Sequence, residues 1–267
     1  MQSNLIYDIG FHEGQDTDFY LKKGFKVVAV EANPDLCEQG RQRFSSEISE
    51  GRLTLVQKAL AKEPGTITFY QMDSMSVWGT CDPVFAEDYR RRGERSVARE
   101  VEAITMAQLL ERYGVPYFLK IDIEGLDMVG VEGLRGANSV PPRLSMEAER
   151  NSFPGLVREI QTLVELGYEL FKIVPQSKVS TQKAPIPAME GRWVDHTFPH
   201  GSSGLFGQEA PGRWLNQDEL LNAYRKVYWH QVLTGPDAVA PRWARSAAWR
   251  LGVRPDWYDT HARLAGT

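Results

Sequence analysis

The chain is poor in cysteine and in long apolar runs, and each shortage excludes a class of protein. Its 267 residues include two cysteines, Cys37 and Cys81. We therefore expect reduced thiols rather than a disulfide framework or a zinc site. No apolar run approaches the roughly 20 residues needed to span a bilayer. Because no secretory leader is visible either, we expect a soluble cytoplasmic protein.

The chain also lacks an excess of basic charge. It has 31 Lys and Arg residues against 35 Asp and Glu residues, which gives a net charge of −4. This balance gives no support for nonspecific binding to nucleic acid, and we expect no nucleic-acid partner. A hydrophobic fraction of 42% and a charged fraction of 25% are typical of a globular protein. The length suits one large α/β domain with insertions or an appendage.

The clearest functional pattern of the sequence lies in the stretch Leu5–Pro34. The stretch has the order strand, glycine turn, helix, strand and acid, which is the opening unit of a nucleotide-binding α/β sheet. Its landmarks, in chain order, are Asp8, Gly10, Gly14, Asp16, Thr17 and Glu31. Glycines allow a ligand to approach the backbone closely, and an acid about 20 residues further on can accept hydrogen bonds from a ribose.

The glycine turn, Gly10-x-x-x-Gly14, lacks the middle glycine of the dinucleotide fingerprint, and His12 occupies its place. A smaller ligand with an amino-acid end fits better, with its ammonium on Asp8 and its ribose on Glu31. That ligand is S-adenosyl-L-methionine. We expect the cofactor to contact the turn and the ends of nearby strands, at Asp8, Gly10, His12, Gly14, Asp16, Thr17, Glu31, Ala32, Asn33, Ala59, Leu60 and Asp122.

Apolar strand patterns then alternate with helical patterns, which predicts a parallel, doubly wound sheet with six main strands. The segment Tyr117–Ile121 is a strongly apolar strand that ends in Asp122 and Glu124. Acids placed there lie at the carboxyl edge of the sheet, where such folds bind ligands. They could also form a divalent-metal site with Glu147 or Glu149, but we expect no metal.

The long Pro-, Gly- and Ser-rich segment over residues 175–202 is predicted to be an active-site loop, because loops of this length are usually functional. Transfer of the methyl group of S-adenosyl-L-methionine to a hydroxyl is helped by a general base, and histidine has a suitable pKa for that role. Our first candidate for the base is His196, followed by His200 and Asp122. A carboxylate acceptor would need no base. The substrate is expected to contact polar and aromatic side chains near this edge, at Ser76, Trp78, Glu124 and Ser202.

Three segments resemble the FkbM family of S-adenosylmethionine-dependent methyltransferases: DIGFHEG at 8–14, VEANP at 30–34 and KIDIEG at 120–125. The resemblance implies a doubly wound, Rossmann-like, seven-stranded class I methyltransferase sheet. It also implies a last, antiparallel strand, which we place near Ser203–Gly207. The family is associated with O-methylation, so the implied acceptor is a hydroxyl or carboxylate of a sugar, glycan or natural product.

We divide the chain into a methyltransferase domain over residues 1–216 and a helical, Trp- and Arg-rich appendage over residues 217–267. The appendage is expected to pack on the domain or on a second subunit. Two alternatives stay open. One is an NAD-dependent oxidoreductase, which Glu31 would equally permit. The other is a non-catalytic regulatory protein that binds an adenosyl cofactor.

Overall fold

The computed structural model describes residues 2–72, 79–150, 152–234 and 256–267. The predicted substrate residues Ser76 and Trp78, and the Trp/Arg-rich segment 235–255, lie outside these ranges. The helices are α1 Gln15–Lys22, α2 Pro34–Arg43, α3 Ser45–Ser49, α4 Pro83–Arg91, α5 Met106–Tyr113, α6 Asp127–Glu132, α7 Phe153–Glu165 and α8 Gln217–Thr234. The strands are β1 Gln2–Ile9, β2 Lys26–Glu31, β3 Leu53–Gln57, β4 Ala59–Leu60, β5 Gly65–Met72, β6 Ser96–Ile104, β7 Pro116–Ile121, β8 Arg143–Glu147, β9 Tyr168–Pro175 and β10 Tyr258–Leu264.

The main sheet has seven strands in the order β3-β2-β1-β7-β8-β10-β9. The first five of these strands pair in parallel, and β10 pairs antiparallel with both of its neighbours. Its central strands are buried on both faces; Ile6, Tyr7 and Ile9 of β1 have no exposed surface. Apolar residues at every position are typical of parallel strands covered by helices on both sides. The predicted seven-stranded, doubly wound sheet with one antiparallel strand is therefore confirmed.

The position of the antiparallel strand was predicted wrongly. Residues Ser203–Gly207 form no strand, and the antiparallel strand is β10. The sequence of β10, YDTHARL, carries no apolar run. The strand lies between β8 and the edge strand β9 and buries polar residues such as Thr260, whose hydroxyl forms a 2.7 Å hydrogen bond with that of Tyr224.

This placement also corrects the predicted helical appendage over residues 217–267. Within the described part of that segment, β10 belongs to the main sheet. Helix α8 buries Leu220 and Tyr224 in the same core as the sheet. No helix in the described ranges is both long and apolar enough to cross a membrane.

A second sheet of three strands, β4-β6-β5, stands beside the main sheet. Strand β5 runs antiparallel to β6, and β4 runs parallel to it. Helix α4 begins after Asp82, whose carboxylate accepts a hydrogen bond from the N–H of Val84 at 2.7 Å. Exposed arginines, Arg90, Arg91 and Arg92, lie at its C-terminal end. This unit brings the Tyr89 ring toward the carboxyl edge of the main sheet.

The long loop between β9 and α8, residues 176–216, is held to the end of α1 by a buried ion pair. Lys23 Nζ lies 2.9 Å from Glu209 Oε2, and both side chains are fully buried. The other oxygen of Glu209 accepts hydrogen bonds from the N–H groups of Met189 and Glu190, at 2.9 and 3.1 Å. The loop also packs Phe206 against the aromatic residues of α1. It is therefore an integral part of the domain.

Replacing Lys23 with Met should lower the free energy of unfolding by about 3–5 kcal/mol, because Glu209 would keep a buried charge without its cation. The matched control is Lys22→Met. Lys22 also pairs with a carboxylate, at 2.6 Å, but is 51% exposed, and its loss should cost at most about 1 kcal/mol. Urea unfolding followed by circular dichroism measures both. Equal losses in the two variants would contradict the structural role of the buried pair.

Candidate functional site

A cavity of about 550 Å³ opens at the carboxyl edge of the main sheet. This volume lies within the range of small-molecule and cofactor sites. The glycine turn after β1, the ends of β2, β7 and β8, helix α4 and the long loop form its walls. Most of the predicted site residues line it, namely Gly10, His12, Asp16, Glu31, Ala32, Ala59, Leu60, Asp122, Glu124, His200 and Ser202.

The turn after β1 lies directly against the turn after β7. The N–H of Asp122 donates to the carbonyl of Ile9 at 2.9 Å, and Gly10 has a φ of 89°. A Cβ atom on Gly10 would lie 1.8 Å from the carbonyl oxygen of Asp122. Glycine is therefore required for both the conformation and the close approach.

Glu31, at the end of β2, is held by backbone amides. Its Oε2 accepts from the N–H of His12 at 2.8 Å, and its Oε1 accepts from the N–H of Asn33 at 2.8 Å. Burial raises the pKa of Glu31 to about 7, although the two amides and Lys120 oppose this shift. A carboxylate has about four lone-pair sites, so both oxygens keep acceptor capacity for a ligand that enters the cavity.

Lys120, on β7, forms ion pairs with three carboxylates of the site. Its Nζ lies 3.3 Å from Asp8, 3.4 Å from Asp16 and 3.6 Å from Asp122. It also donates to the carbonyl of Gly10 at 3.2 Å. Burial by itself would lower the pKa of Lys120, but the aspartates raise it well above its ordinary value. No functional role was predicted for Lys120 from the sequence, although a lysine inside an apolar strand indicates a buried ion pair.

Asp8, which was predicted to meet the ligand's ammonium, does not line the cavity. It is 1% exposed, and its carboxylate is occupied by the hydroxyl of Thr17, at 2.6 Å, and by Lys120. Gly14, Thr17 and Asn33 likewise stand outside the cavity lining. Gly14 packs against two phenylalanine rings, and Asn33 caps α2. Asp8, Gly14, Thr17 and Asn33 therefore stabilise the cavity wall from behind its surface.

Asp16 joins the long loop to the glycine turn. Its two carboxylate oxygens accept from the N–H of Ser203 at 2.9 and 3.1 Å. Burial raises the pKa of Asp16 to about 6, and Lys120 opposes this rise. The loop thereby places His200 and Ser202 on the cavity wall.

His196, the first candidate for a general base, does not line the cavity. Its ring packs between Phe19 and Phe198, at centroid distances of 4.9 and 4.8 Å, and burial lowers its pKa. His200 lies on the cavity wall and is exposed. Sequence spacing could not separate the two histidines, because the direction of each ring is set by how the loop packs on α1.

Acidic side chains line the other side of the cavity. The Tyr89 hydroxyl donates to Glu124 at 3.2 Å, and burial raises the pKa of Glu124 to about 8. Burial also raises the pKa of Glu147, which ends β8, to about 7. The described residues contain no group of three or more His, Cys, Asp or Glu side chains that could hold a metal ion.

Parts of the chain are similar in sequence to known methyltransferases. The family described as the methyltransferase FkbM domain matches residues 8–170. The ribosomal RNA small subunit methyltransferase H of Oenococcus oeni is 30% identical over 122 residues, which cover 43% of this chain and 39% of that protein. The probable ribosomal RNA small subunit methyltransferase A of Methanospirillum hungatei is 38% identical over 64 residues, which cover 24% of this chain and 25% of that protein. The matches thus span much less than half of these relatives.

Among solved structures, methyltransferase FkbM from Methylobacillus flagellatus is similar to this chain, with 17% identity and a TM-score of 0.43. That match covers 65% of this chain and 40% of the other.

The contact between the two turns can be tested with Gly10→Ala. Gly24→Ala is the matched control, because Gly24 has a similar φ of 95° but no neighbour within 4 Å of an added Cβ. The free energy of unfolding of the control should fall by about 1–2 kcal/mol, because alanine is strained in the left-handed conformation. That of Gly10→Ala should fall by about 1–3 kcal/mol more, because the added Cβ overlaps the carbonyl of Asp122 in the turn after β7. Equal losses in urea unfolding would mean that the turns do not need this close approach.

Proposed function

The chain belongs to the FkbM methyltransferase family, and from this premise we propose that it transfers the methyl group of S-adenosylmethionine to an oxygen atom of a small-molecule or glycan acceptor. Glu31 is the observation that carries the proposal. It is a buried carboxylate at the end of β2 that lines the cavity and is aligned by two backbone amides. That arrangement suits the paired hydroxyls of a ribose.

The residues present fit the cofactor along its length. Glu31 would hold the ribose. The apolar side chains of Leu36, Leu60 and Phe69 line the cavity beyond it and would enclose the adenine. Gly10 and Asp122 would meet the amino-acid end, where a carboxylate acceptor for the ammonium is needed and Asp8 is already occupied. When bound, S-adenosylmethionine supplies a methyl group that its sulfonium makes electrophilic.

The acceptor would enter from the side of β8 and the long loop. The protein must hold the acceptor's oxygen atom in line with the methyl group of the cofactor, at near-attack distance. A hydroxyl loses its proton during the transfer, and His200 and Asp122, which both line the cavity, are the candidates to accept it. A carboxylate acceptor would need positioning only.

The alternatives are less well supported. A nicotinamide dinucleotide would need a glycine where the turn has His12. A purely regulatory role would not need the polar cavity wall made by His200 and Ser202. The names of the curated relatives concern ribosomal RNA, but a cavity lined by Asp122, Glu124 and Glu147 repels a polyanion. We therefore propose a sugar, another glycan or a natural product as the acceptor.

Glu31→Gln should weaken binding of S-adenosylhomocysteine by about 10- to 100-fold. This corresponds to the loss of about 1.5–3 kcal/mol from hydrogen bonds to a charged acceptor. The control is Glu38→Gln, an exposed carboxylate on α2, which should keep wild-type affinity. Isothermal titration calorimetry of both variants, with NAD as a second ligand, measures this. Tight binding of NAD without binding of S-adenosylhomocysteine would contradict the proposed function.

His200→Gln should lower kcat by about 100- to 10,000-fold with a hydroxyl acceptor, because a general base contributes that much. Affinity for S-adenosylhomocysteine should stay within twofold of wild type. His196→Gln, in the same loop but outside the cavity lining, should keep most of its turnover. The assay is transfer of a labelled methyl group to an acceptor identified by screening sugars, glycolipids and small carboxylic acids. Wild-type turnover in His200→Gln would remove it as the base.

A further inference from the structure

We propose that the acceptor carries a protonated amine and that this group binds at the carboxylate pair formed by Glu147 and Asp259. The inference rests on the proposed function, because it concerns the acceptor side of the same cavity. It adds a substrate class, an oxygen acceptor with an ammonium group nearby, that family membership does not supply.

The pair is fixed by the register of the sheet. Asp259 of β10 is the direct partner of Glu147 of β8, and both residues line the cavity. Directly opposite residues of an antiparallel pair have Cβ atoms about 4.5–5.5 Å apart, and like charges in such positions are destabilising. The fold therefore holds two acids side by side at the cavity wall at a cost in stability.

Within the described ranges, little positive charge lies close to this pair. Asp259 is 9% exposed, and its carboxylate has no hydrogen bond or ion pair within the described part of the chain. Glu147 has only a 3.6 Å contact with Arg150, whose side chain is 48% exposed. Lys120, the buried cation of the site, lies within 4 Å of three other carboxylates. A nearly buried acid without a partner that faces a cavity either takes up a proton or binds a cationic group. Burial and the neighbouring acids raise the pKa of Asp259, and an ammonium group beside it would favour the charged form instead.

The surroundings favour an organic cation. An ammonium group has three N–H donors, enough to reach two carboxylates and a further acceptor. Trp257 lies two residues before Asp259 and lines the same cavity. The face of an indole ring attracts a cation more strongly than other aromatic rings. Two carboxylates and an indole on the wall of one cavity offer hydrogen-bond acceptors and a ring face to an ammonium group, and the described residues form no metal-binding cluster.

The cofactor's own ammonium is expected to bind elsewhere. Asp122, which is proposed to meet that ammonium, follows β7, and β10 lies two strands away in the sheet. At about 4.8 Å between strands, that separation is about 10 Å. The adenosyl group would extend from β1 in the opposite direction, toward Glu31 on β2. Glu147 and Asp259 therefore belong to the acceptor side of the cavity.

The test uses the full chain saturated with S-adenosylhomocysteine and two small probes of matched shape. The first probe is 2-aminoethanol, and the second is ethylene glycol, in which a hydroxyl replaces the ammonium. Chemical-shift titrations by NMR, up to 50 mM of each probe at pH 7.5, compare their affinities. We expect the amine to bind at least tenfold more tightly than the diol. Asp259→Asn and Glu147→Gln should each abolish this preference.

Both variants should remain folded, because each removes a like-charge contact and keeps the shape of the side chain. Glu169→Gln, an exposed acid on β9 outside the cavity lining, is the charge-matched control and should keep the preference for the amine. Equal binding of the two probes, no binding of the amine at 50 mM, or an unchanged preference in both pair variants would overturn the proposal.

The cofactor gives two further readouts. A tenfold loss of S-adenosylhomocysteine affinity in Asp259→Asn would also overturn the proposal, because the pair would then hold the cofactor's own amine. Failure of S-adenosylhomocysteine to bind the wild-type protein would overturn the proposed function itself. The two failures are therefore distinguishable.

Discussion

The site depends on one buried cation. Lys120 lies at the centre of the sheet and reaches Asp8, Asp16 and Asp122, which come from β1, α1 and the end of β7. Each carboxylate has a separate structural task. Asp8 holds the hydroxyl of Thr17, Asp16 holds the backbone of the long loop at Ser203, and Asp122 faces the cavity. Without the lysine, these buried acids would repel one another, and the ion pairs that join β1, α1 and the end of β7 would be lost.

This arrangement divides the cavity into two parts with different electrostatics. On the side of β1 and β2, the acids are matched by Lys120 or by backbone amides, as Glu31 is matched by the N–H groups of His12 and Asn33. On the side of β8 and β10, Glu147 lies 3.6 Å from the exposed Arg150, and Asp259 has no ion pair within the described ranges. The proposed amine of the acceptor would supply positive charge on this second side.

Much of the fold was predictable, because local patterns determine it. The order of strand, turn, helix and acid in Leu5–Pro34 and the apolar strand before Asp122 indicated the sheet and its ligand-binding edge. Strand β10 was missed because its burial comes from pairing on both sides rather than from apolar residues. The roles of Lys120, His196 and Asp259 were missed for a related reason. Each is decided by which side chains meet across the fold, at sequence separations that no local pattern records.

The central claim is that the cavity between the glycine turn and the long loop binds an adenosyl cofactor through Glu31. A crystal structure of the chain with S-adenosylhomocysteine tests it most directly. The account predicts both ribose hydroxyls within hydrogen-bond distance of the Glu31 carboxylate, and the sulfur atom near the turns at Gly10 and Asp122. A ligand bound elsewhere, or a ribose that makes no contact with Glu31, would contradict the account.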